Sequence, residues 1–419
     1  MKRILMVGAG SCQLNAIKKI KEMGHYVIAA DYNDWTEGKG IADAHVKADA
    51  FDVDEISKAA MALNIDGLLT VGTDQPVYTV NSVAEKLGLP HFLDIETALR
   101  VTNKKEMKHR FTQFKIPTVP YVIIRQTFSA LSLVGLKPPY VIKPIDSQGQ
   151  RGIFKVDTID EIRQMFEQVL TYSRKDEILV ESFYESDEIT VSGWVHKSKP
   201  RILTITDRLT FPPDERIGVC YAHQHPSKFT DSLKYKIETL VVDICRAFDI
   251  HEGPFYFQFL VGDKGILVNE IACRIGGAYE DVTIPYVTQF DILEANINGA
   301  INETVFEFHS KVAYDIVGED KYFSTQLFFY KPGRISYQVP METLKKHPFI
   351  LDARFNFNVG DLIGNIENAS QRAGYMIVTG KSKNELSRHL DMAFEALEVL
   401  DENGLSMVKV PHQTEMLRS

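Results

Sequence analysis

The sequence predicts a three-domain protein of mixed α/β and α+β class, and three observations lead to this prediction. Short apolar runs alternate with helical patterns over the first ninety-odd residues, as in βαβ units with a parallel sheet. In the middle of the chain, predicted strands follow one another with few helices between them, as in an antiparallel sheet. The last hundred residues form a third block of strands followed by a helix. We therefore expect domains at 1–95, 96–315 and 316–419.

Length and composition narrow the class of protein. With 419 residues, 44% of them hydrophobic, the chain can bury a large core in more than one domain. Its net charge of -9 comes without a basic stripe, which argues against a nucleic-acid partner. No apolar run approaches the ~20 residues of a membrane helix. The four cysteines contain no CxxC pair and indicate reduced thiols. We expect a cytoplasmic protein with no membrane partner.

The predicted elements follow from apolar spacing, with a period of two for strands and 3.6 for helices. Gly88 suits the left-handed turn that closes a helix. The N-terminal block contains predicted strands at 3–8, 26–31 and 67–71 and helices at 15–23 and 77–87. The rest contains predicted strands at 140–143, 153–156, 178–181, 189–194, 255–261 and 265–269, and helices at 103–114, 234–248, 292–300 and 383–400.

A glycine-containing turn follows the first strand, where a dinucleotide-binding turn would lie. It reads Gly8-Ala9-Gly10-Ser11-Cys12-Gln13, and Asp31 ends the second strand where an acid that binds ribose would stand. Gln13 replaces the third glycine, which normally permits close packing of helix and strand. We therefore favour a tight structural turn over an NAD or FAD site.

Two lysines and a polar loop are candidates for binding a polyphosphate. Lys104 begins a predicted helix and Lys143 ends an apolar strand, so both ammonium groups could reach one polyphosphate; for Lys104 the alternative is a solvated helix face. The loop after Lys143 contains Ser147, Gly149 and Gly152 and could lay backbone N–H groups over phosphate oxygens, although an ordinary hairpin loop would have similar residues.

Two further segments are candidates for binding the adenine and the ribose of a nucleotide. Glu181, Phe183 and Tyr184 end a predicted strand, and Glu188 lies seven residues after Glu181. This spacing lets the backbone pair with an adenine edge while a carboxylate reaches the ribose; the alternative for each glutamate is a surface strand residue.

The segment 267–277 carries the most specific signal. It places Glu270 and Arg274 at the end of an apolar strand, directly before Gly276-Gly277. Magnesium prefers carboxylate and phosphate oxygens, and an arginine can stabilise charge on a transferring phosphoryl group.

The order of these motifs resembles the ATP-grasp superfamily along nearly the whole chain. The resemblance implies a Rossmann-like preATP-grasp domain, an ATP-grasp domain and a C-terminal domain of the biotin-carboxylase-like branch, which segment 372–381 and the helix after it resemble. It implies that Lys104 and Lys143 hold the phosphates of ATP and that Glu188 binds the ribose. The adenine hinge would be formed by Glu181, Phe183 and Tyr184.

The same resemblance implies a metal ion and a catalytic pair. Glu270 would bind Mg²⁺, or Mn²⁺ in its place, and Arg274 would orient the reacting carboxylate or acyl phosphate, with Lys143 as the second candidate catalytic residue. Gln258 stands where the family usually has an acidic metal ligand, and Ala272 where an asparagine often follows the glutamate. An amide oxygen can still coordinate magnesium with less charge, so one or two metal ions are open.

Candidate substrate-binding residues lie between and after these motifs. Arg208 could clamp a carboxylate, and His223 or His225 could take a proton from an amine, the alternative being ordinary polar histidines. Gly277 is a further candidate at the substrate. Beyond it, Glu280 and Asp281 could anchor an α-ammonium group or simply stabilise a helix N-terminus.

The resemblance implies an ATP-dependent ligase that joins a carboxylate to an amine through an acyl phosphate, with an amino acid or similar small carboxylate as substrate. Its partners would be small molecules, and a homodimer is common in the resembled branch. Two alternatives are a bicarbonate-activating carboxylase or carbamoyl-phosphate-type enzyme, and a nucleotide-binding regulatory protein without catalysis, which Gln258 and Ala272 would suit.

Overall fold

The computed structural model describes residues 1–303 and 321–409, which divide into two compact units. The first unit comprises 1–123, 190–204 and 231–303, and the second comprises 124–189, 205–230 and 321–409. The predicted boundary at 315–316 lies outside the described residues. The three predicted domain ranges stay a prediction.

Strands and helices alternate from residue 3 to residue 87, and the longest strands lie later in the chain. The strands are β1 Arg3–Val7, β2 Tyr26–Asp31, β3 Ala44–Lys47, β4 Gly67–Leu69, β5 Tyr121–Ile124, β6 Tyr140–Pro144, β7 Phe154–Val156, β8 Ile178–Ser182, β9 Ser186–His196, β10 Lys199–Thr210, β11 Cys220–His225, β12 Gly253–Gly262, β13 Gly265–Ala272, β14 Tyr322–Gln326, β15 Phe329–Tyr330, β16 Gly333–Gln338, β17 Ile350–Phe355, β18 Leu362–Ile363, β19 Gly374–Gly380, β20 Val399–Asp401 and β21 Val408–Lys409. The helices are α1 Leu14–Glu22, α2 Glu37–Ile41, α3 Val53–Leu63, α4 Gln75–Leu87, α5 Ile95–Thr102, α6 Lys104–Gln113, α7 Ile159–Leu170, α8 Pro213–Arg216, α9 Thr230–Ala247, α10 Glu280–Thr288, α11 Ile292–Ala300, α12 Met341–Lys345 and α13 Lys383–Ala396.

A parallel sheet in the order β3-β2-β1-β4 forms the N-terminal part of the first unit. Alternate residues of β1 enter different cores. Ile4 and Met6 pack in one cluster with residues of α1 and α11. Leu5 and Val7 pack in another with residues of α3 and α4. Helices therefore cover both faces, which is why β1 is apolar at every position from Ile4 to Val7.

The side chains of Gln13 and Asp31 form hydrogen bonds with the glycine turn after β1. Gln13 is buried; its Nε2 donates to the carbonyl of Val71 at 2.6 Å, and its Oε1 accepts from the backbone N–H of Gly10 at 3.0 Å. The carboxylate of Asp31 accepts from the N–H of Ala9 at 3.1 Å. Gln13 and Asp31 thus hold the turn against its neighbouring strands, which supports the interpretation of a structural turn.

The hairpin of β12 and β13 is the other main feature of the first unit. The strands are antiparallel and close through a two-residue turn, because Gly262 pairs with Gly265. Phe257 and Phe259 are buried on one face, while Gln258 lies between them in sequence and pairs in register with Glu270. Because register partners share a face, the buried phenylalanines direct Gln258 and Glu270 to the opposite side of the hairpin.

The second unit is built on antiparallel strands. Strand β6 pairs with β7 on one side and β8 on the other, and α7 buries Ile162, Phe166 and Val169. In a second sheet β11, β14, β19 and β17 are neighbours, all antiparallel. Helix α13 buries Leu386, Leu390 and Ala393 in the core of this part. These strands confirm the α+β character predicted for the second half of the chain.

The structure corrects one predicted element and adds a long strand. The helix expected at 383–400 ends at Ala396, and the residues after Glu398 form β20, which pairs with β16. The apolar pattern continues through both segments, so only the pairing with β16 reveals where the helix stops. Strand β10, at Lys199–Thr210, was not predicted although it is one of the longest strands. In residues 1–303 and 321–409, no helix has both the length and the hydropathy that crossing a bilayer requires.

Candidate functional site

Arg274 follows β13 in the first unit and is held in one orientation. Its Nε donates to Oδ1 of Asp74 at 2.8 Å, its Nη2 donates to the same oxygen, and its Nη1 donates to the carbonyl of Ile275 at 3.2 Å. The guanidinium carbon lies 4.8 Å from the centre of the Tyr256 ring. Burial alone would lower the pKa of Arg274, but attraction to Asp74, Tyr256 and Glu280 outweighs it and raises the pKa. Arg274 therefore stays charged although it is almost fully buried.

Neighbouring atoms leave no space for a side chain at Gly276 or Gly277. A Cβ at Gly276 would lie 2.3 Å from the carboxyl carbon of Glu280, and one at Gly277 would lie 2.7 Å from the carbonyl oxygen of Gly72. The N–H of Gly72 in turn donates to the carbonyl of Ile275 at 3.0 Å. The loop that carries Arg274 is thus joined to the loop before α4, and side chains at 276 and 277 would separate them.

In the first unit Lys104 contacts Glu270, and Gln258 is the register partner of Glu270 in the β12–β13 hairpin. Lys104 is the first residue of α6, which Asn103 caps by accepting from the N–H of Lys105 at 3.0 Å. Its Nζ lies 2.8 Å from Oε1 of Glu270, with the two side chains 11% and 23% exposed. Lys104 therefore does not lie on a solvated helix face. The structure brings it to the candidate metal ligands although 166 residues separate Lys104 from Glu270 in sequence.

The side-chain oxygen atoms at Glu270 and Gln258 can be compared with the ligands that magnesium prefers. Gln258 supplies an amide oxygen on the same face as the Glu270 carboxylate. Among residues 1–303 and 321–409, there is no cluster of three or more Asp, Glu, His or Cys side chains arranged for a metal. Oxygen donors with few carboxylates fit magnesium, which keeps several waters and relies on substrate phosphates. The residues present therefore fit one such ion better than an all-protein metal site.

In the second unit Lys143 and Glu181 form a buried ion pair. They lie on the neighbouring strands β6 and β8, and Nζ of Lys143 is 2.5 Å from Oε2 of Glu181. Glu181 is only 2% exposed, so the alternative of a surface strand residue does not hold for it. Two candidate nucleotide-binding residues are thus in contact.

The segment after Glu181 contains two of the candidate adenine-binding residues, Phe183 and Tyr184. The N–H of Phe183 donates to the carbonyl of Pro139 at 2.8 Å, and Tyr184 is buried. Lys155, which no sequence argument had singled out, lies 4.9 Å from the centre of the Phe183 ring. Lys155 and Glu181 are both register partners of Val141, so all three side chains share one face of the sheet. The run of alternating residues in β7 was the signal that could have identified Lys155.

The loop after β6 depends on its glycines. Gly149 and Gly152 have φ values of +68° and +73°, in the left-handed region that side chains rarely adopt. The carbonyl of Gly149 accepts from the N–H of Ala369 at 3.2 Å, and Ser147 is buried. The candidate phosphate loop is therefore anchored to the C-terminal part of the same unit.

Glu188 and Arg208 form a second buried ion pair in this unit. Nη1 of Arg208 lies 2.5 Å from Oε2 of Glu188, and Nη2 donates to the carbonyl of Gly218 at 2.8 Å. The Arg208 side chain is 4% exposed. The structure thus places the expected substrate clamp against the expected ribose ligand.

The two candidate histidines are buried in the second unit. Nδ1 of His225 donates to the carbonyl of Ile205 at 3.1 Å, and its ring stacks on Phe323 at a centroid distance of 5.1 Å. Burial lowers the pKa of His225 to about 4. Burial also lowers the pKa of His223, whose Nδ1 is 3.2 Å from the hydroxyl of Thr206. These placements favour the alternative of structural histidines.

Glu280 and Asp281 begin α10 and make structural contacts. Oε2 of Glu280 accepts from the N–H of Ala278 at 2.9 Å. Asp281 accepts from the side-chain amide of Asn15 at 2.7 Å. Burial raises the pKa of Glu280 to about 7. Both contacts favour the helix N-terminal alternative over an ammonium-binding role.

Replacing Glu280 with glutamine is expected to make stability less dependent on pH between 4.5 and 7. Over this range the native carboxyl keeps a proton that the unfolded chain has released, because folding raises its pKa from 4.5 to about 7. The native state therefore loses stability as pH rises, by about 3 kcal/mol once pH exceeds 7. Urea unfolding of both proteins at several pH values measures this.

The stability of Glu280→Gln relative to the wild type should increase as pH rises through that range. Glu37→Gln is a matched control, since Glu37 is an exposed acid at the first position of α2. A stability difference for Glu280→Gln that does not change with pH would contradict the assignment.

Sequence reasoning missed Asp74 and Tyr256, which hold Arg274. Asp74 stands in the segment Gly72-Thr73-Asp74-Gln75-Pro76 between β4 and α4. Polar residues at the carboxyl end of a parallel strand are a recognised signal for a site. Tyr256 pairs in register with the small residue Ala272, one of the two departures noted in the sequence.

Comparisons with known proteins match two segments of the chain to family models. Residues 136–281 match the family model described as ATP-grasp domain, and residues 326–400 match L-amino acid ligase C-terminal domain 2. Dapdiamide A synthase of Enterobacter agglomerans is 21% identical over 232 residues, 54% of this chain and 53% of that protein, so the alignment spans about half of its length. The L-arginine-specific L-amino acid ligase of Bacillus subtilis is 23% identical over 302 residues, 70% of each chain.

A solved structure shows the same fold. The L-amino acid ligase from Bacillus licheniformis superposes with a TM-score of 0.81 at 16% identity, covering 96% of this chain and 99% of that one. The predicted fold class is confirmed. The two family matches show that the chain contains an ATP-grasp domain at residues 136–281 and an L-amino acid ligase C-terminal domain 2 at residues 326–400.

Proposed function

We propose that this protein is an ATP-dependent ligase that activates a small carboxylate, with an amino acid as the favoured class, as an acyl phosphate and joins it to an amine. The observation that best supports this proposal is the orientation of Arg274. Its contacts with Asp74 and Ile275 use three of the five N–H groups of a guanidinium. Two N–H groups are left to bind a carboxylate or phosphate.

The reaction has two balanced steps. A carboxylate oxygen attacks the γ-phosphorus of ATP, the bond from that phosphorus to the bridging oxygen breaks, and ADP leaves. The nitrogen of the amine then attacks the carbonyl carbon, phosphate leaves, and the nitrogen loses a proton. Positioning and charge stabilisation supply most of the catalysis of such transfers, so no protein nucleophile is required.

We assign the transfer chemistry to residues of the first unit. Glu270 and Gln258 would hold a magnesium ion, which when bound neutralises charge on the phosphates. Lys104, in contact with Glu270, would add a second cation for the phosphates. Arg274 would orient the reacting carboxylate and stabilise the charge that develops on it.

We assign nucleotide binding to residues of the second unit. Lys143 would bind phosphate oxygens, and the N–H groups around Ser147, Gly149 and Gly152 would cover them. The segment Glu181 to Tyr184 would pair with adenine. For Glu188, the described residues engage only Oε2, through Arg208, so Oε1 can accept from a ribose hydroxyl.

The substrate carboxylate fits Arg274 better than the other candidates. Arg208 is committed to Glu188 and Gly218, and His225 is buried against Phe323. Gly277 would line the approach as part of the Arg274 loop. An amino acid is supported by the match to an L-amino acid ligase domain and by the similarity to an L-arginine-specific ligase.

The experiment is ADP and phosphate release with ATP and magnesium, across amino acids singly and in pairs, with bicarbonate present or omitted. Turnover that requires both an acid and an amine, with the coupled product seen by mass spectrometry, would support the proposal. Turnover that requires bicarbonate and no amino acid would replace it with the carboxylase alternative.

Lys143→Ala is expected to weaken ATP binding by about 10- to 100-fold, because a charged hydrogen bond to phosphate contributes about 1.5–3 kcal/mol. Calorimetric titration with ATP and magnesium measures this. The change also leaves the buried Glu181 without the Lys143 cation, so stability must be separated from affinity.

Two further variants make that separation. Combining Lys143→Met with Glu181→Gln removes both charges and should recover stability while ATP affinity stays low. Lys175→Ala, at an exposed position of the same unit, should bind ATP like the wild type. Wild-type affinity in both Lys143 variants would remove Lys143 from the phosphate site.

Location and assembly are proposals from the sequence. A cytoplasmic location is supported by the four cysteines, all of them free thiols. Burial raises the pKa of Cys273 to about 12, which keeps this thiol protonated beside Arg274. The homodimer implied by the resemblance is a prediction that analytical ultracentrifugation checks.

A further inference from the structure

We propose that Asp74 is a positioning residue for the ligase reaction, and that it sets the direction in which Arg274 presents its two remaining N–H groups to the reacting carboxylate. The inference rests on the proposed function and assigns a role to a residue that sequence reasoning had missed.

The contact geometry defines which side of the guanidinium is used. Nε and Nη2 form the side of the planar group, and both donate to Oδ1 of Asp74. Nη1 donates one N–H to the carbonyl of Ile275. One N–H on Nη1 and one on Nη2 remain, both directed away from Asp74, and two such donors can bind the oxygens of a carboxylate or phosphate.

The ring of Tyr256 fixes the plane of the same group. The guanidinium carbon lies 4.8 Å from the ring centre, within the range of a cation–π contact. The ring restricts movement out of the plane, and Asp74 restricts rotation within it. The Tyr256 ring and the Asp74 carboxylate together fix the direction in which the outer end of the Arg274 guanidinium points.

Asp74 contacts Arg274 and does not cap its own helix. It stands at the N-cap of α4, where aspartate normally accepts from the backbone N–H groups of the first turn. Its side chain makes no such capping bond and instead reaches a residue 200 positions away. An N-cap aspartate turned away from its own helix is unfavourable for that helix, which indicates a purpose beyond local stability.

The backbone also holds Asp74 at this distance. The N–H of Gly72 donates to the carbonyl of Ile275, and Gly277 packs on Gly72 without space for a Cβ. The loop before α4 and the loop after β13 are therefore held together. Glu280 also attracts Arg274, so loss of the Asp74 charge would free the guanidinium to turn towards Glu280.

The first test does not need turnover. In protein labelled with ¹⁵N-arginine, the Nε–H of Arg274 is identified by its loss in Arg274→Lys, and its exchange with water is measured. It should be protected in the wild type and exchange faster in Asp74→Asn. Equal protection in the two proteins would overturn the assignment.

The second test uses the acid and amine found in the ADP-release assay. Asp74→Asn should lower kcat by about 10- to 100-fold, as for a reacting group displaced by ~1 Å, with KM for ATP unchanged. Asp74→Glu should recover part of the loss. Asp74→Asn combined with Arg274→Ala should be no slower than Arg274→Ala alone, because the two residues act as a unit.

Asp94→Asn is the matched control, since Asp94 caps α5 by accepting from the N–H of Thr97 at 2.7 Å and touches no candidate residue. It should keep wild-type kinetics. Wild-type kcat in Asp74→Asn, or fully additive losses with Arg274→Ala, would overturn the role of Asp74. Absence of turnover in the wild type would count against the proposed function alone, and the exchange experiment would still decide the Asp74–Arg274 contact.

Discussion

Arg274→Ala is expected to lower kcat/KM for ADP release by roughly 10²- to 10³-fold or more, the loss seen when one oriented donor is removed from a developing charge. Alanine removes both N–H groups that would bind the reacting carboxylate, and the neighbouring positive charge with them. Steady-state ADP release with the identified acid and amine measures the effect. Because the charge acts on the transfer step, kcat should fall as well as kcat/KM.

Controls for this variant must address folding. Removing one partner of a buried ion pair costs about 3–5 kcal/mol, so thermal unfolding should show a folded but less stable protein. Arg274→Lys keeps the charge but cannot present two parallel N–H groups, and it should remain well below wild-type activity. Arg246→Ala, on the exposed face of α9, should be fully active. Near-normal turnover in Arg274→Ala would remove Arg274 from the site.

Glu270→Gln is expected to raise the magnesium concentration required for half-maximal activity and to lower kcat by roughly 10²-fold. The substitution leaves two neutral amides, at 258 and 270, to hold the ion, and magnesium depends on carboxylate and phosphate charge. It also leaves Lys104 without the carboxylate that lies 2.8 Å from its Nζ. Activity as a function of magnesium concentration at saturating ATP measures the change.

Asp263→Asn is the matched control for Glu270→Gln, because Asp263 is an exposed acid in the turn of the same hairpin. It should keep the wild-type magnesium dependence. The variant Gln258→Glu should restore one carboxylate to the pair and lower the magnesium requirement of Glu270→Gln. An unchanged magnesium dependence in Glu270→Gln would place the metal elsewhere.

Several candidate residues could be predicted because their signals are local. Lys143 ends an apolar strand, Glu270 and Arg274 end another, and the glycines follow directly. The parallel sheet and the β12–β13 hairpin were predictable for the same reason, since periods of two and 3.6 are properties of contiguous residues. Lys104 was predicted from its place in the order of motifs, and the structure brings it to Glu270.

The contacts that the sequence did not predict share one cause. Arg208 and His225, which are substrate candidates because their residue types suit that chemistry, are buried in contacts with Glu188 and Phe323, and their roles stay predictions. The end of α13 was placed too late because pairing of β20 with β16 competes with the helix. In each case the deciding partner is distant in sequence, and no local pattern reports it.

The sequence alone therefore determined the fold class and the presence of an ATP-grasp domain, because these depend on the spacing and order of nearby residues. Only the tertiary structure decided which charges are paired. Asp74 lies 200 residues from Arg274, and Lys104 lies 166 residues from Glu270. The free energy of a buried charge depends on the partners that folding brings within a few ångströms, and no local pattern in the sequence names those partners.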